Sequence, residues 1–184
     1  GDINIPKDFA FDKIEIDGDT SDVSCFASVA NVLDVELSTG DIIIDSITAG
    51  QVKLATTTGE IAVNSVTVKN NIDIETDTGK VKLSNATCLN FAAESDTGTI
   101  TLKNVVATGS ISIESDTGDV RFKGSDATEI SVKTDTGDVT GTLLSEKVFI
   151  TETATGSINV PKTTSGGKCE ITTETGDINI SIKQ

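Results

Sequence analysis

The amino-acid sequence predicts an all-β fold: a single-domain parallel β-helix of about ten turns, read as right-handed, spanning residues 1–184. Three observations lead there. The strings ESDTGTI, ESDTGDV and KTDTGDV are near copies of one another; a Thr-Gly step recurs every 19 or 20 residues; and apolar residues alternate with polar ones on both sides of that step.

The glycine column runs Gly1, Gly40, Gly59, Gly79, Gly98, Gly118, Gly137, Gly156 and Gly176, with Ser21 in the one missing place. So constant a step leaves no room for a second domain or a flexible linker. Seven and five residues before the glycine stand apolar columns such as Leu33, Val52, Ile72, Phe91 and Ile111, or Val35, Leu54, Ile74 and Ile113. Two and four after it stand Ile42, Ile61, Val81, Ile100 and Val120, then Ile44, Val63, Leu83, Leu102 and Phe122. The buried parity switches at the glycine, which marks a bend between two strands that each bury one face. A weaker column seven after the glycine (Ile47, Val66, Ala86, Val105) predicts a shorter third side. Equal columns require each strand to pair in parallel with its equivalent one turn away, giving a rod of the order of 45 Å.

A packed antiparallel sandwich would need turn signals at both strand ends, and the Thr-Gly signal comes once per unit. A propeller blade needs about 40 residues, twice the observed period.

The predicted structural corner therefore comprises Gly40, Gly59, Gly79, Gly98, Gly118, Gly137, Gly156 and Gly176, where glycine tolerates positive φ or close contact with the next turn. The Thr before each glycine is expected to pack its methyl inward and bond through its hydroxyl. Three before the corner, Thr56, Thr76, Ser95, Ser115, Thr134, Thr153 and Thr173 form an inward hydroxyl column expected to satisfy itself. Gly18, Gly124, Gly166 and Gly167 fall outside the column and read as loops or bulges. Residues 1–20 form an irregular N-terminal capping turn, with Phe9 and Phe11 expected over the open end of the core. The closing GDINISIKQ reads as an uncovered, adhesive edge, and oligomerisation through an exposed solenoid end follows from it.

Charge sets the functional limits. The formal net charge is −15 and there is no histidine, so a nucleic-acid backbone or an anionic membrane is disfavoured. No apolar stretch of about 20 residues exists to span a bilayer. The missing Met points to a chain whose upstream context was removed. Cys25, Cys88 and Cys169 have neither disulfide nor zinc spacing and read as small core hydrophobes.

Outward positions near the corner are acidic. Asp77, Asp96, Asp116 and Asp135 lie two before the glycine, and Glu75, Glu94 and Glu114 lie four before it. Stacking brings members of each row to about 5 Å, which costs Coulomb energy unless water, lysines or cations relieve it. This ladder is the candidate binding surface. A solvated face is the simpler reading; calcium, which takes several oxygen ligands, would bind at most weakly, and no other cofactor is expected.

The Asp-Thr-Gly triplets are those of an aspartic protease only in spelling, because that chemistry needs two facing carboxylates that share a proton. Without histidine there is no Ser-His-Asp arrangement, and no phosphate loop is present. Arg121 with Lys123 reads as surface charge balance. The sequon Asn85-Ala86-Thr87 is too common a pattern to establish glycosylation. No catalytic or metal-ligating residue is assigned.

The strings IETDTGKVKL, IESDTGDVRF and TETGDINISI resemble the bacterial adhesin-like family built around the DUF4097 β-strand repeat, over nearly the whole chain. The resemblance implies an exported or envelope-associated solenoid and supplies no catalytic residues. The expected function is a non-enzymatic cell-surface or envelope scaffold, extracellular after loss of an export signal, that binds a host or bacterial surface protein or glycan along its faces. The alternatives are a carbohydrate-active β-helix enzyme, which would need exposed aromatics and paired carboxylates, and an envelope regulatory or sensing module.

Overall fold

The computed structural model describes residues 1–183. They form seventeen strands: β1 (Ile3–Ile5), β2 (Ala10–Thr20), β3 (Val23–Cys25), β4 (Ser28–Thr39), β5 (Ile42–Asp45), β6 (Thr48–Thr58), β7 (Ile61–Val68), β8 (Asn71–Thr78), β9 (Val81–Cys88), β10 (Asn90–Thr97), β11 (Ile100–Thr117), β12 (Val120–Thr136), β13 (Val139–Leu143), β14 (Lys147–Thr155), β15 (Ile158–Asn159), β16 (Gly167–Thr175) and β17 (Ile178–Ile182). All pairings are parallel, and the strands wind into a β-solenoid of about nine turns, one domain without helices among the described residues. The expected register holds: Phe91 pairs with Ile72 on one side and with Ile111 on the other, and Ile61 lies between Ile42 and Val81. The core is a set of aliphatic ladders with Phe91 and Phe122 as its fully enclosed aromatics.

Each coil has three bends. At the first, the backbone N–H of one corner glycine donates to the carbonyl of the next coil's threonine, as Gly40 does to Thr58 at 2.9 Å and Gly98 to Thr117 at 3.0 Å. Glycine is required here by contact more than by torsion: a Cβ on Gly98 would lie 1.6 Å from the Gly79 carbonyl oxygen. The threonines differ from expectation. Thr58, Thr78, Thr97 and Thr117 are exposed, because the chain bends one residue before the glycine and turns both flanking side chains outward.

The second bend lies six residues after the corner, at Ser46, Ser65, Asn85 and Asn104 with φ between 52° and 57°, and at Gly124 with φ 67°. Asn and Gly accept this left-handed conformation most readily, so Gly124 belongs to a regular bend. The amide of Asn104 donates to Asn85 at 3.1 Å and that of Asn85 to Asn64 at 3.1 Å, an outward ladder that uses the sequon asparagine. At the third bend Asn90 donates to Asn71 at 3.0 Å and accepts from the Ser110 N–H at 3.0 Å. Gly18 sits inside β2, opposite Leu37.

The stacking order departs from chain order at the end. β16 pairs with β12 on one side and with β14 on the other, so Cys169 lies between Ile130 and Phe149. Likewise β17 separates β13 from β15, with Ile178 between Val139 and Ile158. After β13 the chain skips one level, builds the outermost coil from β14 and β15, and returns through residues 160–166 to fill the vacant level. β17 is thus interior, and the open edge belongs to Lys147–Asn159. This overturns the expectation that GDINISIKQ is the adhesive end and that every coil stacks on its predecessor.

The inward residues supply a reason. Cys169, Ile171, Ile178 and Ile180 are all fully buried in the inserted coil, whereas the outermost coil points Thr151 and Thr153 inward and has a strand of only two residues on its second side. An apolar coil gains more from neighbours on both faces than a hydroxyl-lined one. Gly166 and Gly167 let the returning chain enter between two backbones already in place. A Cβ on Gly166, at φ 103°, would lie 1.9 Å from the Glu146 carbonyl oxygen, and one on Gly167 would lie 1.8 Å from that of Thr128.

At the other end of the stack, Phe9 and Phe11 are exposed, with ring centroids 6.2 Å apart. They pack beside each other and stand outside the set of side chains packed on the core.

Candidate functional site

Period-two alternation on the side that precedes the Thr-Gly corner turns every second residue to solvent, and parallel register turns these residues into rows. Glu75, Glu94 and Glu114 are consecutive register partners and exposed. The row then changes sign, since Glu114 is followed by Lys133. Glu75, Glu94 and Glu114, with Asp34, Glu36 and Asp73, wall a shallow groove of about 700 Å³. Ala55 and Ala92 lie in its floor, and Lys53 is its single base. Small residues between long carboxylates make the depression; an ordinary Glu or Lys in either place would fill it.

Asp77, Asp96, Asp116 and Asp135 stand nearer the bend, all exposed. Asp77 borders a smaller hollow of about 210 Å³ with Glu36 and Glu75. Among the described residues, the carboxylates of these four aspartates and of Glu75, Glu94 and Glu114 accept no hydrogen bond and form no ion pair. They form one ladder on one side of the rod, so the facing pair that acid proteolysis demands does not arise. Among the described residues, no three carboxylate or thiol side chains converge in a group able to hold a metal ion. Arg121 is tied to Asp119 at 2.9 Å on the surface.

The inward hydroxyl column has a structural task. Thr56 Oγ1 donates to the Gly40 carbonyl at 3.1 Å, Thr153 to Gly176 at 3.0 Å and Thr173 to Gly137 at 3.2 Å. Three consecutive members, Thr76, Ser95 and Ser115, are buried with no partner for their hydroxyls. The column therefore satisfies itself only in part.

Two functional features escaped sequence reasoning. The first is the aspartate that follows the corner glycine. Asp22 Oδ1 accepts the Asp41 N–H at 2.8 Å, Asp41 accepts that of Glu60 at 2.7 Å, and Asp119 accepts that of Asp138 at 3.0 Å. The ladder continues through the inserted coil, with Asp177 donating to Asp138 at 2.8 Å and Ser157 to Asp177 at 2.7 Å. These carboxylates close backbone donors at the bend, a purpose that their fixed place after Thr-Gly could have signalled. The Ser157 N–H and hydroxyl together hold the Asp177 carboxyl below its ordinary range.

The second is a buried ion pair at the junction of the skipped level. Lys147 Nζ lies 2.5 Å from Asp126 Oδ1 and donates to Ser145 Oγ at 2.5 Å. The side chains are 3% and 16% exposed, whereas the other ion pairs among the described residues are on the surface. Beside this pair opens a cleft of about 530 Å³ lined by Glu146, Ser165, Gly166 and Gly167 among others.

The Toastrack DUF4097 family model matches the chain twice, over residues 1–86 and over residues 69–184. No curated protein and no solved structure matches it. Two overlapping matches cover every coil of the solenoid, and the chain belongs to the Toastrack DUF4097 family.

Proposed function

We propose that this chain is a non-enzymatic scaffold of the cell surface or envelope that engages a positively charged partner, in first place a basic protein segment, along its acidic face. Domains of this family are structural modules without catalytic residues. The observation that carries the reading is the groove walled by Glu75, Glu94 and Glu114 and floored by Ala55 and Ala92. Its three glutamates have no side-chain partner among the described residues, repeat at the coil spacing and face solvent, so they offer distributed contacts to an extended partner. Contacts of this kind are weak individually and are screened by salt.

The test compares wild type with a Glu75→Gln/Glu94→Gln/Glu114→Gln variant for retention on intact cells, on immobilised glycans and on basic proteins, at low and high salt. Salt-sensitive retention on basic protein, reduced at least several-fold in the variant, is expected. Equal retention of both proteins, or retention on glycans alone, would overturn the assignment. Fractionation of the native host with an antibody to the domain tests the location, which a cytoplasmic pool would contradict.

A further inference from the structure

The edge coil Lys147–Asn159 is built unlike the others. β14 is nine residues long and has no strand beyond it among the described residues. Such an edge presents a row of free N–H and C=O groups, and proteins usually guard it with lysine, proline or a bulge. On β14 the guard is slight: Glu152 is its one exposed charge, and the strand carries no proline. In the row that contains Ile150, other coils carry Glu15, Asp34, Lys53, Asp73 and Glu170 or the small residues Ala92, Ser112 and Ser131, whereas Ile150 is a large apolar side chain that is 51% exposed. Val148 is a second exposed apolar residue on the same strand. Ile158, whose column is buried from Val23 through Ile178 on the other coils, is 45% exposed, and Phe149 and Val160 are only half-buried, so the core ends open at this level.

Charge says what covers it. The chain carries −15 overall, and the coil at the opposite end of the stack, residues 1–20, holds six acids and two bases. Residues 147–160 hold one acid, Glu152, and one base, Lys147, which is spent on Asp126. This end is where two copies can approach without opposing carboxylate rows.

We propose that two copies of this chain join end to end through Lys147–Asn159, related by a two-fold axis. Antiparallel pairing of β14 with its copy satisfies the free backbone groups of both edges. It also places the two open core ends over each other, removes Ile158 from water, and sets the outward Ile150 and Val148 beside outward side chains of the copy. A two-fold contact of one patch with itself closes at the dimer. Joining this edge to the opposite end of a second copy would instead set Ile150 against the row of Glu15 and would propagate as a filament.

The experiment is sedimentation equilibrium on the full chain up to about 100 µM, where mass action favours association, with melting curves to confirm folding. Wild type is expected at twice the 19.1 kDa chain mass. Ile150→Lys is expected at the single-chain mass with an unchanged melt, because that side chain projects into solvent within one copy. Leu89→Lys, which alters an exposed apolar residue on another coil, and Phe9→Lys at the far end should remain dimeric. A monomeric wild type, a dimeric Ile150→Lys, or a ladder of larger species abolished by Phe9→Lys would each overturn the proposal.

Discussion

Lys147 and Asp126 belong to coils that are not neighbours in the stack, yet their charged atoms are 2.5 Å apart. Lys147 pairs with Gly167 of the inserted coil, and Gly167 has no side chain to obstruct the reach. Thr163 Oγ1 donates to the Lys147 carbonyl from the returning loop. The ion pair therefore clamps the outermost coil across the inserted one.

Removing one partner of a buried ion pair is costlier than removing both, because the orphaned charge keeps its desolvation penalty. Asp126→Asn is expected to destabilise by about 3 kcal/mol, since Lys147 is then buried alone. Lys147→Met should cost less, as Asp126 retains partial access to water. The double variant should recover most of the loss. Denaturant unfolding of the three proteins checks the order, and equal losses for both single variants would contradict it.

The hydroxyl column offers a matched pair of sites. Thr56→Val deletes a hydrogen bond to the Gly40 carbonyl and should cost about 1 kcal/mol. Thr76→Val deletes a hydroxyl with no partner and should be neutral or stabilising by up to about 1 kcal/mol, because a buried unsatisfied group is removed. Urea midpoints at constant slope report the difference.

Asp177 links the inserted coil to the edge coil through Ser157. Its carboxyl holds a proton less readily when folded than its ordinary value of 3.8. The contribution is therefore complete above that value and disappears as pH falls through the lower folded value. Amide protection in Lys147–Asn159, corrected for intrinsic exchange, should fall below about pH 4 before the central coils respond. Asp177→Asn should weaken that protection at neutral pH and flatten its acid dependence.

Burial raises all three thiols: Cys88 to about 11, Cys169 to about 12, and Cys25 in the same direction. The thiolate is the reactive form. The folded protein should therefore resist a disulfide reagent at pH 8, and all three thiols should titrate after denaturation. Rapid reaction of even one thiol in the native state would place it outside the core.

The repeat made most of the fold legible. Columns such as Leu33, Val52, Ile72 and Phe91 identify one buried face without knowledge of the third dimension, because parallel register preserves position along the chain. The acidic ladder was legible for the same reason, but the groove was not: it depends on Ala55 and Ala92 standing beside the glutamates in space. The second bend was hidden because Ser46, Ser65, Asn85, Asn104 and Gly124 share a torsion and no common residue type. The capping task of Asp22, Asp41 and Asp119 was hidden because it depends on the backbone N–H of the next coil, 19 residues away in the chain.

From its sequence alone, this protein had to be a stack of three-sided coils with Thr-Gly bends, an aliphatic interior and an acidic exterior, because those follow from period and polarity. Which coil lies next to which was decided in the folded state. Every coil offers the same bend and nearly the same ladders, so local pattern accepts several neighbours. The order was settled by the greater apolar content of Gly167–Ile182 compared with Lys147–Asn159, by the two glycines that admit the returning chain, and by an ion pair long enough to span a level.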